Sequence, residues 1–270
     1  MTKTVLNAGR PMTLLEYAQE WQKSAEVIAS ANHYPWMCDQ LGRMKRIIEV
    51  GCGSGTSTEA LVAEGRQVLV IEANQHCASI SHDRLLSKGI PVELILIDQL
   101  NNLASWENVG VKLLVEDILS NRLEEMLPHK WFDAIVCWLI GSNPEHVATS
   151  LGMHHLNFKG PEMSNYRLKV QKRCFDYGTR VLKNDGVVHI VDRAGISSWF
   201  DKDQLRTELA ATLSSVAGSS YALSKGDCIL RKLSDELKKS SVPYIAQTQP
   251  NFNGVVVLAS VKAQLAVHYS

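Results

Sequence analysis

The segment Ile47-Ile48-Glu49-Val50-Gly51-Cys52-Gly53-Ser54-Gly55-Thr56 constrains this chain more than any other. A β-branched run stops at three glycines set at alternate positions, and a helix-forming stretch, Thr56 to Glu64, follows. Glycine permits positive φ and leaves no Cβ between backbone and ligand. Such a strand–turn–helix lets a nucleotide or amino-acid group lie directly on main-chain atoms. A dinucleotide fingerprint, G-x-G-x-x-G, needs glycine at position 56; the chain has Thr56 there, with Gly55 one place early. Glu49, just before the turn, would repel a pyrophosphate and attract an ammonium group. The turn therefore favours a zwitterionic cofactor over a doubly anionic one.

The elements around this turn alternate. Thr13-Leu14-Leu15-Glu16 has capping-box spacing, and Leu14, Leu15, Ala18, Trp21, Ala25 and Ile28 recur at helical spacing to about Asn32. Gln67 to Ile71 is a buried strand ending at Glu72, and Asn74 or Gln75 to Lys88 is a helix closed by Gly89. Val92–Ile97 and Val111–Val115 both look like strands, and the second is preferred as the next central one. Phe132–Cys137 and Val187–Val191 are further strands, separated by a helix from Ser164 to Leu182. Asp201-x-x-Gln204 caps a helix running to about Val216, and late strands follow near Ala222–Leu230 and Val255–Val261. Alternation of this kind implies a mostly parallel sheet covered on both faces, doubly wound by right-handed crossovers, with a late hairpin at one edge. Glu72 ends its strand 21 residues after Gly51, which suits a carboxylate accepting from ribose hydroxyls.

Composition excludes several classes. Lys plus Arg equals Asp plus Glu at 28 each, and no long basic block occurs, so a nucleic-acid partner is disfavoured. Six cysteines form no C-x-x-C pair, so no metal site is expected and the thiols read as buried residues of a reduced compartment. No apolar signal region stands at Met1–Pro11, and no apolar run approaches the ~20 residues of a membrane helix, so a cytoplasmic location without a membrane partner is expected. No linker divides residues 1–270, which read as one domain: a helical cap at 1–45, a cofactor-binding core at 46–193, and a C-terminal helix with edge strands at 194–270.

IIEVGCGSGTST resembles the first motif of the class I S-adenosylmethionine-dependent methyltransferases. VLVIEAN resembles their second, VKLLVEDIL their third, FDAIVCWLIGSNP their fourth-strand segment and VLKNDGVVHIVDR their fifth. The order holds from Arg46 to Arg193; the tail fits only through its late strands. The resemblance implies a Rossmann-like, seven-stranded, mostly parallel sheet with an antiparallel edge strand in a three-layer α/β/α sandwich. It implies S-adenosyl-L-methionine as cofactor, Glu49 facing the methionine amino group, and Gly51, Cys52, Gly53 and Gly55 passing beneath the methionine and ribose. Glu72, with Ala73 beside it, would hold the ribose; Asp117 would accept from the adenine amino group with Ile118 against the ring. Cys137 and Trp138 would line the floor where donor and substrate meet. Asp98 stands nearer the usual distance from Glu72, but Asp117 lies 16 residues before Asp133 and pairs better with FDAIV. Segment 91–110 is then an insertion able to serve as a cap or as an interface; a homodimer is a separate expectation for the chain.

The substrate region is less defined. Ser142-Asn143-Pro144-Glu145 lacks the N-P-P-Y-like signature of the family's nucleic-acid amino-methylating members, which points to a small molecule. Trp138 to His146, with Leu139, Asn143 and His146 among them, follow the fourth strand and are expected to face the transferred methyl, and Tyr166 stands beyond them. Tyr17, Trp21, Tyr34 and Trp36 on the N-terminal segment are either a lid over the site or core packing. His154 or His155 would remove a substrate proton, unless the pair is a surface feature. The expected reaction is in-line methyl transfer to N, O or C of a metabolite. The competing readings are a non-catalytic cofactor-binding regulator and a nicotinamide-dependent oxidoreductase.

Overall fold

The computed structural model describes residues 12–106, 110–141, 143–153, 160–233 and 254–266. Successive side chains of a strand point to opposite faces. In a sheet buried on both faces, a continuous apolar run therefore feeds two cores at once. Strand β1 (Arg46–Val50) and strand β2 (Gln67–Glu72) do this: Ile47, Val68 and Val70 pack into one cluster, and Ile48, Leu69 and Ile71 into the other. Helices α1 (Leu14–Ser30), α2 (His33–Asp39), α3 (Thr56–Ala63) and α4 (Gln75–Ser87) cover the first face, contributing Trp21, Met37, Leu61 and Leu85. Helices α5 (Arg122–Met126), α6 (Pro144–Ser150), α7 (Gly160–Val181) and α8 (Lys202–Ala217) cover the second through Leu123, Val147, Phe175 and Leu213. The result is the expected three-layer α/β/α arrangement.

The remaining strands are β3 (Val92–Ile95), β4 (Val111–Val115), β5 (Phe132–Trp138), β6 (Leu182–Ile196), β7 (Tyr221–Ala222), β8 (Cys228–Lys232) and β9 (Val255–Leu265). Their order is β3-β4-β2-β1-β5-β6-β9-β7, with β8 also on β9. From β3 to β6 all pairings are parallel; β9 runs antiparallel to β6, from Val187↔Gln264 to Ile196↔Val255. The chain leaves β1 toward β2 on one side and returns to β5 on the other. That switch point opens the crevice in which doubly wound sheets bind ligands.

Three expectations change. The described residues carry nine strands rather than seven. Val92–Ile95 adds β3 outside β4, and the following 3-10 segment buries Leu100, Leu103 and Trp106 in the second core. Much of segment 91–110 is therefore sheet and core. The strand expected near Ala222–Leu230 is broken by a 3-10 turn at Lys225–Asp227, so β7 and β8 both edge β9, and the antiparallel β9 lies inside the sheet. The capping box at Thr13 does form, with Glu16 N–H donating to Thr13 Oγ1 at 3.2 Å and Thr13 N–H to Glu16 Oε2 at 2.8 Å. It starts a helix that ends at Ser30; a second short helix, α2, then begins after a left-handed Asn32.

Candidate functional site

A pocket lies beyond the carboxyl ends of β1, β2, β4 and β5, roofed by α1. Its floor begins at the glycine turn, where Gly51, Gly53 and Gly55 have φ of +75°, +55° and +78°. Each bare position accommodates a different neighbour. A Cβ on Gly51 would stand 2.5 Å from Ile140 Cδ1; one on Gly53 would collide with the Nε1–Cδ1 edge of the Trp21 indole. One on Gly55 would run into Ser81 of α4, whose Cα is 3.0 Å away. Gly51 and Gly53 line the pocket, whereas Gly55 serves close packing of α4 on the turn.

Two acids end adjacent strands and have different surroundings. Glu72, 7% exposed, lines the pocket and also shapes it. Its Oε2 accepts the Gly53 N–H at 3.0 Å and its Oε1 the Asn74 N–H at 2.9 Å. Burial raises its carboxyl above the ordinary range against these two backbone donors. Each oxygen keeps a further lone pair for a ligand donor. Glu49, 1% exposed, is outside the pocket wall. It accepts the Ser57 hydroxyl at 2.5 Å and the Thr58 hydroxyl at 2.6 Å, both from the first turn of α3. Burial pushes it up to about 7 despite those donors.

Asp117, just beyond β4, lines the pocket with Ile118. Its Oδ1 accepts the Leu119 N–H at 2.8 Å, and its Oδ2 stands 3.3 Å from His146 Nε2. Burial pushes the Asp117 carboxyl up, but His146, the Leu119 amide and Lys169 outweigh it and hold the group below its usual range. Asp98 is 85% exposed at the sheet edge, with only Arg122 at 4.0 Å as an ionic partner among the described residues.

The structure thus brings Trp21, Gly51, Gly53, Glu72, Ala73, Asp117, Ile118, His146 and Tyr166 onto one wall. The other candidates have other surroundings. Cys52 is buried, its thiol held well above its ordinary range by burial and by Glu72 and Glu49. Cys137 is fully buried, with Cys174 of α7 against it. Trp138 turns its indole away and donates to His189 Nδ1 at 3.1 Å. An indole only donates, so His189 carries its proton on Nε2, which bonds Ser260 Oγ at 2.7 Å; Ser260 in turn donates to Gln40 Oε1 at 2.6 Å. Burial lowers His189 to about 3, which keeps this relay across β5, β6, β9 and the end of α2 neutral. Tyr34 is core, and Trp36 lies under the Arg231 guanidinium at 5.5 Å. Asn143 donates to Met12 O and caps α6 through the His146 N–H at 3.4 Å. His154 and His155 lie outside the described residues.

Not every wall residue carries a clear mark in the sequence. Asn74, at the start of α4, donates to Leu14 O at 3.0 Å, so Asn74 and Asn143 together fasten the beginning of α1 over the pocket. Tyr17 stands one turn before Trp21 on the same helix face, and its hydroxyl is 2.7 Å from where a Gly141 Cβ would be. That i, i+4 pair was the available signal. Leu139 lines the wall with φ +55°, a costly left-handed conformation for a branched residue, fixed by its N–H to Val191 O at 2.6 Å. Its place just after the fourth strand marks it in the sequence; its left-handed backbone does not. The charged wall residues are Glu72 and Asp117, the latter paired with His146; no Lys or Arg stands among the described wall residues. No cluster of three or more metal-ligating side chains occurs among the described residues.

Neither a family model nor a curated protein matches the chain. Solved structures do. Geranyl diphosphate C-methyltransferase from Streptomyces coelicolor A3(2), in complex with Mg2+, geranyl diphosphate and S-adenosyl-L-homocysteine, superposes with a TM-score of 0.51 at 13% identity, covering 89% of this chain and 82% of that one. A geranyl diphosphate methyltransferase in complex with GPP and sinefungin gives 0.50 at 14% identity, again covering 89% and 82%. At such identities the likeness is one of architecture, and the chain has the fold of the class I S-adenosylmethionine-dependent methyltransferases.

Proposed function

We propose that this protein is an S-adenosyl-L-methionine-dependent methyltransferase acting on N, O or C of a small molecule. One observation carries the reading: a crevice at the switch point of a doubly wound sheet whose charged wall groups are two carboxylates, one of them paired with a histidine. Such a wall opposes a pyrophosphate and attracts a cationic nucleoside amino acid. This disfavours the nicotinamide alternative on grounds independent of glycine spacing.

The residues present fit that cofactor. Gly51 and Gly53 line the pocket between Ile140 and Trp21, where the amino-acid half would lie against their main chain. Glu72 has lone pairs for two adjacent hydroxyls and is held rigid by Gly53 and Asn74. Asp117 would accept from an exocyclic amine, while Ile118 and Ala73 supply apolar contact for a flat base. When bound, the cofactor supplies an electrophilic methyl group on a sulfonium, already a good leaving group. The chain's own contribution is then orientation and exclusion of water. Tyr17 and Trp21 on the fastened α1 roof the pocket, and Leu139, Ile140 and Tyr166 close its sides. An acceptor must fit beneath that roof, which supports a small substrate over a polymer.

Calorimetry tests the cofactor: S-adenosylhomocysteine should bind and NAD should not. Turnover with a metabolite panel, followed by S-adenosylhomocysteine release, tests the enzyme. Cofactor binding without turnover on any acceptor would favour the regulatory module instead.

A further inference from the structure

An indole N–H is a donor with no accepting capacity, and a buried donor without a partner costs free energy. The buried tryptophans differ in this respect. Trp138 donates to His189. Trp106 stacks on Trp131 at 5.5 Å in the second core, with its Nε1 sealed from solvent and unpartnered among the described residues. Trp21 is 7% exposed, lines the pocket, and donates to no group among the described residues. Its Nε1 is not sealed inside the protein as that of Trp106 is; Nε1 and Cδ1 are the ring atoms set over Gly53 on the pocket wall. Four residues before it, Tyr17 shares the wall, and the start of α1 is tied down through Asn74 and Asn143. The indole is thus a rigidly held donor presented to the ligand beside the bare glycine turn.

We infer that Trp21 is a cofactor-positioning residue, whose indole N–H donates to the carboxylate of the bound amino-acid half. The inference rests on the proposed cofactor. Within that ligand the ammonium is matched by an acidic wall, but the carboxylate is not. No Lys or Arg stands among the described wall residues to receive it, and the indole N–H is a neutral donor on that wall that can. An indole N–H supplies a hydrogen bond without a positive charge that would oppose the sulfonium. Gly53 is then bare for a second reason: any Cβ there would displace the indole.

The test compares S-adenosylhomocysteine with S-adenosyl-3-thiopropylamine, which lacks only the carboxylate. Titrations of wild type and Trp21→Phe with both ligands, by calorimetry, separate the readings. Phenylalanine keeps an aromatic roof and removes the donor. The expected result is an S-adenosylhomocysteine affinity about 10-fold weaker in the variant, with the amine's affinity unchanged. Retained binding of the amine also reports an intact site. Should the variant fail to fold, the wild-type indole N–H resonance of Trp21 gives the same answer: it should move downfield with S-adenosylhomocysteine and not with the amine. Equal weakening of both ligands, no weakening of either, or an identical shift with both overturns the role of Trp21 and leaves the cofactor reading intact. If wild type binds neither ligand, the cofactor reading itself falls and this inference with it.

Discussion

The first two strand–turn–helix units lie side by side and end in the same residue type, yet they handle it in opposite ways. On β1, Glu49 turns back into its own helix, where Ser57 and Thr58 occupy both carboxylate oxygens. On β2, Glu72 turns outward, takes one backbone N–H on each oxygen, and remains on the pocket wall. The difference lies in the helix that each turn leads into. Helix α3 opens with hydroxyl residues at positions that reach its strand's acid; α4 opens with Asn74, whose own side chain caps His76 N–H at 3.0 Å and reaches Leu14. Each acid takes one donor per oxygen, so the count of lone pairs is the same; what differs is that only the carboxylate of Glu72 faces the pocket, where a ligand could reach it.

The largest effect should come from the first turn. Gly53→Val forces a β-branched residue into φ +55° and drives its side chain into the Trp21 indole. Measurable binding of S-adenosylhomocysteine should disappear in calorimetry. Wild-type affinity in this variant would mean that the glycine turn is no part of the ligand bed.

The Glu49 unit should answer in stability. Its folded carboxyl is raised from 4.5 to about 7, so between those values the folded state holds a proton that the unfolded chain has lost. Stability from this group is full below pH 4.5 and falls as pH rises to about 7. The loss is about 3 kcal/mol if the whole shift is expressed. Glu49→Gln mimics the protonated form, so denaturant melts at pH 8 should find the variant more stable than wild type by up to that amount. At pH 4.5 the two should agree, and cofactor affinity should be unchanged. An affinity loss with stability unmoved would transfer Glu49 to the pocket and erase the contrast between the two turns.

The Glu72 unit should answer in binding. Glu72→Ala removes an acceptor for the ligand and the brace on the Gly53 amide, and should weaken S-adenosylhomocysteine by about 1–3 kcal/mol. Unchanged affinity would remove Glu72 from the site.

Local chemistry made part of this legible in the sequence. The glycine turn, the alternating strands and the Thr13 capping box are short-range patterns, and each forms where residue type and spacing placed it. Expectations went astray where the outcome depended on distant segments. Val92–Ile97 and Val111–Val115 are equally strand-like, and the sheet takes both by adding β3 at its edge; only three-dimensional pairing decides that. Trp138 sits at the correct strand end, but its indole donates to His189, 51 residues away, and is not on the pocket wall. Trp21 reaches Gly53 by helix packing that no spacing rule encodes. Cys137 shows the same limit, since an apolar strand end does not say which face it presents.

The smallest effect concerns the adenine end, where two acids competed on sequence grounds. Asp98 is 85% exposed beside the edge strand, and Asp117 is on the pocket wall against His146. Asp117→Asn keeps the shape and an oxygen for the Leu119 amide, but loses the charge that faces His146 and a ligand amine. It should weaken S-adenosylhomocysteine by about 1 kcal/mol, while Asp98→Asn should do nothing measurable. An inosine analogue, which replaces the amino group by a carbonyl, should bind wild type more weakly than S-adenosylhomocysteine. It should recover relative affinity in Asp117→Asn, because the amide can donate where the carboxylate cannot. Were Asp98→Asn the variant that responded, the second acid of the site would belong to the 3-10 segment after β3, and the wall from Glu72 to Asp117 would have to be redrawn.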